Sequence, residues 1–204
     1  MPKYVVEFIG TFFLVLAIGL APSQFGPLAV GAVLMAMIYA GGHVSDAHFN
    51  PAVTIAMMVT GYCKKSDVAP YLLAEFSGAG LGIALARYLS GSIVTTAKFE
   101  IAPLFVAEFV FTFALAWVIL NVAKAKALQG NQFYGLAIAA IVAGGAYTVG
   151  PVSGAAFNPA VAIALCGSGH LAWTQLWVFL VATFAGGIAA ALVFRRFVVA
   201  TATS

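Results

Sequence analysis

The tripeptide Asn-Pro-Ala occurs twice, as Asn50-Pro51-Ala52 and Asn158-Pro159-Ala160, each time preceded by Phe and followed by Val. Asn caps helix N-termini because its side-chain oxygen accepts from the first unpaired backbone N–H groups. Pro suits the first helical position, where its missing N–H would find no partner anyway. Both tripeptides therefore read as helix starts. The helices they start are apolar and short, Ala52 to about Gly61 and Ala160 to about Cys166. About ten residues at ~1.5 Å each reach ~15 Å, half of a ~30 Å hydrocarbon core. The segments before them, Gly41-Gly42-His43-Val44-Ser45 and Gly150-Pro151-Val152-Ser153-Gly154, are rich in small residues and read as irregular backbone. At membrane depth such backbone must line a cavity or be buried in protein, because its carbonyls need partners. Two half-helices with N-termini meeting at the midplane, beside wetted backbone, predict a pore.

Three carboxylates lie in apolar surroundings, Glu7, Glu75 and Glu108. A carboxylate within a span is costly and usually functional. Glu7 and Glu108 are expected to accept hydrogen bonds from the re-entrant backbone. The alternative is a proton-coupled secondary carrier that uses Glu7, Glu75 and Glu108 as a relay, but matching places for Glu7 and Glu108 favour a structural role. His43 and His48 are expected to fix the first re-entrant loop, with gating by a titrating imidazole as the other reading. His43, Asp46 and His48 form the one cluster of ligand types, and two histidines five residues apart in Gly-flanked backbone match no recognised metal pattern. No metal, cofactor or enzymatic activity is expected. Cys63 and Cys166 fall on opposite sides of the membrane and read as inert thiols.

The elements that position these residues follow from composition. Of 204 residues, 63% are apolar and only 7% are Asp, Glu, Lys or Arg, against about 25% charged in soluble domains. With mean hydropathy of +1.07, most of the surface must face lipid. That excludes a cytosolic enzyme, a secreted disulfide scaffold and a disordered segment. Nine basic against six acidic residues are too few for a nucleic-acid stripe, so no nucleic-acid partner is expected. Six stretches are long enough to span: roughly 4–21, 28–43, 68–90, 102–122, 132–149 and 172–197. The first reads as a span, since no convincing cleavage site follows it. One side then holds Lys3, Lys64, Lys65, Lys124, Lys126, Arg195 and Arg196, and the other Arg87 and Lys98. The positive-inside rule puts both termini in the cytoplasm, in a plasma (inner) membrane protein. Trp173, Trp177 and Tyr88 suit the outer interface. Lys64 and Lys65 suit the inner one.

The chain also repeats itself. Glu7-Phe8-Ile9-Gly10-Thr11-Phe12 resembles Glu108-Phe109-Val110-Phe111-Thr112-Phe113 at an offset of 101, and the two Asn-Pro-Ala segments stand 108 apart. Each half holds three spans, an odd number, so the second copy inserts upside down. Residues 1–100 make the first half, with its half-helix from Asn50. Residues 101–204 make the second, with its half-helix from Asn158. The expected fold is an all-α membrane bundle of six transmembrane helices and two re-entrant half-helices. Gly78, Gly80 and Gly82, with Gly186 and Gly187, are expected to let helices approach closely.

On these motifs, which together cover nearly the whole chain, the sequence resembles the aquaporin, or major intrinsic protein, family. The resemblance implies a homotetramer with one pore per protomer, passive conduction of water or small neutral solutes across the bilayer, and no cofactor. The half-helix tips would repel cations, and Asn50 and Asn158 would donate N–H groups to a passing oxygen. Family members build an outer filter from four positions, which fall here at Val30, Ala146, Ala155 and Val161. A shift of one residue would bring in Gly31 or Tyr147 instead. The family's filter arginine is replaced by Val161, and Asp46 stands where the family commonly has Gly. A ring of Val, Ala, Ala and Val implies a wide apolar aperture. It suits neutral solutes larger than water, such as polyols, urea-like amides, undissociated weak acids or metalloid hydroxides, with weaker exclusion of ions. Asp46 either pairs with a cytoplasmic basic residue or places negative charge at the inner mouth.

Overall fold

The computed structural model describes residues 1–21, 24–91 and 95–199. Eight α-helices are formed among them: α1 (Pro2–Leu20), α2 (Gly26–Ser45), α3 (Pro51–Thr60), α4 (Lys65–Ser90), α5 (Ile101–Lys124), α6 (Tyr134–Ser153), α7 (Pro159–Gly167) and α8 (Leu176–Phe194). α8 is extended by a 3₁₀ turn at Trp173–Gln175 and a π-helical turn at Arg195–Val199. Six helices are long and apolar enough to cross a membrane. The short pair, α3 and α7, are the two that begin at Asn-Pro-Ala.

The Gly- and Ser-rich segments expected to be irregular are mostly helical. α2 runs through Gly41, Gly42 and His43 to Ser45, and α6 through Pro151 to Ser153. In apolar surroundings an extra helical turn pairs its own backbone groups, which irregular chain cannot do. Each helix stops only where the next residue turns left-handed: Asp46 at φ 67° and Gly154 at φ 82°. In these two stretches non-helical backbone is thus confined to 46–49 and 154–157. Positive φ recurs at Asp46, Ala47 and Phe49, and again at Gly154, Ala155 and Phe157. A non-glycine residue held there costs about 1–2 kcal/mol, so something must clamp both segments.

Packing explains the glycines. α1 lies against α4 so closely that a Cβ on Gly78 would collide with the Phe8 carbonyl oxygen, and one on Gly82 would come within 2.5 Å of the Phe12 oxygen. α5 lies against α8 in the same way, with Gly186 on the Phe109 carbonyl, while Gly187 faces the Ala52 carbonyl of α3. Gly80 differs from expectation, since it points to open space on the far side of α4. Because backbone cannot yield as a flexible side chain does, Gly186→Ala is expected to lower stability by about 1–3 kcal/mol, as overpacking generally does. Gly80→Ala should leave it unchanged. Thermal unfolding of the two variants in detergent checks this.

Basic residues gather at one end of the bundle. Lys3 Nζ lies 2.6 Å from Asp67, Lys124 Nζ lies 2.8 Å from Asp46, and Arg195 donates to the Val59 carbonyl near the end of α3 at 3.1 Å. Asp46 is therefore paired, with about half of its side chain still exposed. At the opposite end the segment 95–100 straps the α7–α8 connection, through Ala97 N–H to the His170 carbonyl (2.9 Å) and Phe99 N–H to Gln175 Oε1 (3.0 Å). Trp173, Trp177 and Tyr88 are exposed, and Cys63 and Cys166 are buried free thiols.

Candidate functional site

Two carboxylates clamp the two strained segments. Glu7, fully buried in α1, accepts from Ser45 Oγ–H (2.6 Å) and His48 N–H (2.9 Å) on Oε1, and from Phe49 N–H (2.6 Å) on Oε2. Glu108, fully buried in α5, repeats the set with Ser153 Oγ–H (2.7 Å), Ala156 N–H (3.0 Å) and Phe157 N–H (2.7 Å). The serine oxygens in turn accept from Ala47 and Ala155 N–H, each at 3.1 Å. Short N–H and O–H bonds to a carboxylate are the strong kind, and they hold the backbone where φ is positive. Tyr71 adds a bond to the Ser45 carbonyl at 2.8 Å, in the first segment.

The clamps deliver the asparagines. Asn50 Oδ1 accepts from Ala52 N–H (2.9 Å), and Asn158 Oδ1 from Ala160 (2.9 Å) and Val161 (3.4 Å), so both cap their helices. The amide nitrogens reach across. Asn50 Nδ2 donates to the Phe157 carbonyl at 2.9 Å, and Asn158 Nδ2 to the Phe49 carbonyl at 2.8 Å. Each half-helix tip is thereby tied to the backbone in front of the other. A primary amide carries two N–H donors, so one remains on each asparagine for the space beside it.

That space is a cavity of 130 Å³ lined by both asparagines. None of its lining residues is Asp, Glu, Lys or Arg, and its walls are apolar side chains such as Leu14, Leu34, Leu115 and Val142. Val30, Ala146, Ala155 and Val161 all line it. The one-residue alternatives do not, for Gly31 packs towards Ala143 and Tyr147 is exposed. Pro51, Ala52, Pro159 and Ala160 are buried without lining the cavity.

His43 is placed differently from expectation. It is exposed in the last turn of α2, and the loop is held by Glu7, Ser45 and Tyr71 instead. His48 is buried at the cavity, its Nδ1 2.9 Å from Thr54 Oγ1. Thr54 donates to Glu75 Oε1 at 2.6 Å, which makes His48 Nδ1 the donor to Thr54. The second half has no such chain: at the 108-residue offset these positions are Ala156, Ala162 and Thr183. Glu75 is thus linked through Thr54 to His48, while Glu7 and Glu108 each accept two backbone N–H groups and a serine hydroxyl. Ser45, Ser153, Thr54 and Tyr71 were missed as site residues in the sequence. Ser45 and Ser153 carried a signal, standing 108 residues apart like the asparagines.

Comparison with known proteins agrees with this geometry. The Major intrinsic protein family model matches residues 2–194. The chain is 37% identical over 202 residues to Aquaporin NIP1-4 of Oryza sativa subsp. japonica, covering 91% of this chain and 72% of that protein. It is 33% identical over 214 residues to Nodulin-26 of Glycine max, covering 96% and 77%. The X-ray structure of the aquaglyceroporin from Plasmodium falciparum superposes with a TM-score of 0.81 at 21% identity, covering 96% of both chains, and so shares the fold. Six apolar spans, two half-helices joined through their asparagines and these relatives lead to one conclusion: the chain belongs to the major intrinsic protein family of integral membrane channels, and is not an enzyme.

Proposed function

We propose that this channel passes neutral solutes larger than water, together with water, down their gradients. The reading is carried by Val161, which is 2% exposed and lines the cavity where the family resemblance calls for an arginine. With Val30, Ala146 and Ala155 it makes an aperture of small apolar groups and no fixed charge. Such a ring neither narrows the path to one water nor supplies donors that select for water. Polyols, urea-like amides, undissociated weak acids and metalloid hydroxides are the solute classes that fit. Cation exclusion then rests on the half-helix dipoles at Asn50 and Asn158. Glu7, Glu108 and the two Asn-Pro-Ala segments serve as the frame of this pathway, the halves 1–100 and 101–204 being inverted copies.

The basic end of the bundle supports an orientation with both termini in the cytoplasm, by the positive-inside rule. The family resemblance supports a homotetramer, which we place in the plasma membrane. Val161→Arg in reconstituted vesicles tests the filter. Glycerol uptake is expected to fall by about tenfold, ~1.4 kcal/mol in the barrier, and water permeability by less. A wild-type protein that passes water but no larger solute would refute the wide filter.

A further inference from the structure

The central cavity stops short of the basic end of the bundle. A second cavity, of 330 Å³, opens there and is lined in part by Ile38, Asp46, Ala47, Lys124 and Ile138. Ile119 lines both cavities, whereas Ile38 and Ile138 line only the second.

The positions of these isoleucines have counterparts in the outer ring. At the 108-residue offset that relates the two asparagines, Ile38 corresponds to Ala146, Ile138 to Val30 and Ala47 to Ala155. At the 101-residue offset, Ile119 corresponds to Ile18. The same cross-section therefore occurs once in each half of the pathway, with different fillings. The outer members Val30, Ala146 and Ala155, with Ile18 beside them, are partly exposed, whereas the fourth outer residue, Val161, is 2% exposed, much like its counterpart Val53 at 1%. The inner members are buried: Ile38 is 3% exposed, Ile119 6%, Ile138 6% and Ala47 9%. An Ile in place of Ala adds three side-chain carbons and an Ile in place of Val adds one, on residues that line the same inner cavity. No polar side chain on these four offers a hydrogen bond to a passing molecule. A gap narrowed by such side chains would be crossed slowly, because water leaves it and a solute must enter stripped of its shell.

Resting on the channel reading above, we infer that Ile38 and Ile138, with Ala47 and Ile119, form the limiting constriction and set the largest solute that passes. The outer ring admits solute, and the inner ring sorts it. Polarity is then discriminated as well as size: a thin, weakly hydrated solute crosses faster than a strongly hydrated one of equal volume.

The experiment is stopped-flow uptake of glycerol, urea and water into vesicles holding equal amounts of full-length protein. Ile38→Ala is expected to raise glycerol uptake by about fivefold and water permeability by less. Val30→Ala on the outer ring is expected to raise glycerol uptake less than Ile38→Ala does. Ile138→Phe is expected to lower both water and glycerol by about tenfold, and it carries the test should Ile38→Ala fail to fold. Wild-type rates in both Ile38→Ala and Ile138→Phe, or a larger gain from Val30→Ala than from Ile38→Ala, overturn the inner ring. A wild-type protein that passes water alone, while Ile38→Ala admits glycerol, supports the inner ring and overturns the solute range proposed above. No flux above empty vesicles in any of them overturns both.

Discussion

Glu108→Leu should abolish the folded channel. Leu has about the right bulk for the site but accepts nothing, and it would leave Ser153 Oγ–H, Ala156 N–H and Phe157 N–H without their partner. Each buried donor left unpaired costs about 1–3 kcal/mol, and three together take a large share of the ~5–15 kcal/mol that holds a typical domain folded. The left-handed conformations at Ala155 and Phe157 would lose their clamp at the same time. The expected outcome is loss of monodisperse protein in detergent and of all flux. Glu108→Gln is milder and more diagnostic. Its oxygen can still accept from Ser153 and Ala156, but its NH₂ would face the Phe157 N–H now held at 2.7 Å. A single misdirected pair is expected to lower Tm by about 5 °C and to reduce flux. The same pair of substitutions at Glu7 should behave alike. Glu108→Leu protein that folds and conducts at wild-type rates would show that the carboxylate is not the clamp.

Asn158→Asp should open the channel to cations. The tips of α3 and α7 each present roughly half a positive charge, so together they hold about one charge beside the lumen. A carboxylate at position 158 would cancel it. Removing one unit charge at ~4 Å in a medium of effective dielectric ~20 changes the cation barrier by up to ~4 kcal/mol. A sodium conductance on the order of a hundredfold above wild type is a conservative expectation. The cap survives, because one oxygen still accepts from Ala160 N–H. The crossing bond does not, because the other oxygen would face the Phe49 carbonyl at 2.8 Å with no proton between them. Sodium-flux assays on vesicles, run beside glycerol uptake, measure both effects. Retained glycerol uptake with no sodium flux would show that cations are excluded elsewhere.

Much of the frame was legible in the residues. The Asn-Pro pairs announce helix starts because capping is a local matter of one side chain and the next few N–H groups. The six spans follow from length and apolarity, and the structure shifts their ends by a few residues at most sites. Glu7 and Glu108 were readable as backbone acceptors because a lone carboxylate in lipid needs donors, and re-entrant loops are where free N–H groups occur. The stops of α2 and α6 were not readable. Small residues look like loop when read in order, yet at membrane depth helix is the cheaper way to pair the backbone of Gly41, Gly42 and Gly150. His43 was misjudged for the same reason, since one more helical turn carries it to the exposed side. Gly80 was grouped with its neighbours by spacing alone, although Gly78 and Gly82 share the packed face and Gly80 does not.

The order of residues by itself determined that the protein lives in lipid, that it duplicates, and where two half-helices begin. Each of these depends on composition or on contacts within a few residues. Only the tertiary structure decided that each asparagine keeps one N–H and gives the other to the opposite half, across 107 and 109 residues. It alone decided that Ser45 and Ser153 complete the clamps, and that Ile38 and Ile138 are buried at the inner cavity while their counterparts Ala146 and Val30 are partly exposed. Those outcomes are distances between segments far apart in the chain, set by how closely glycine-faced helices pack, and no local pattern encodes them.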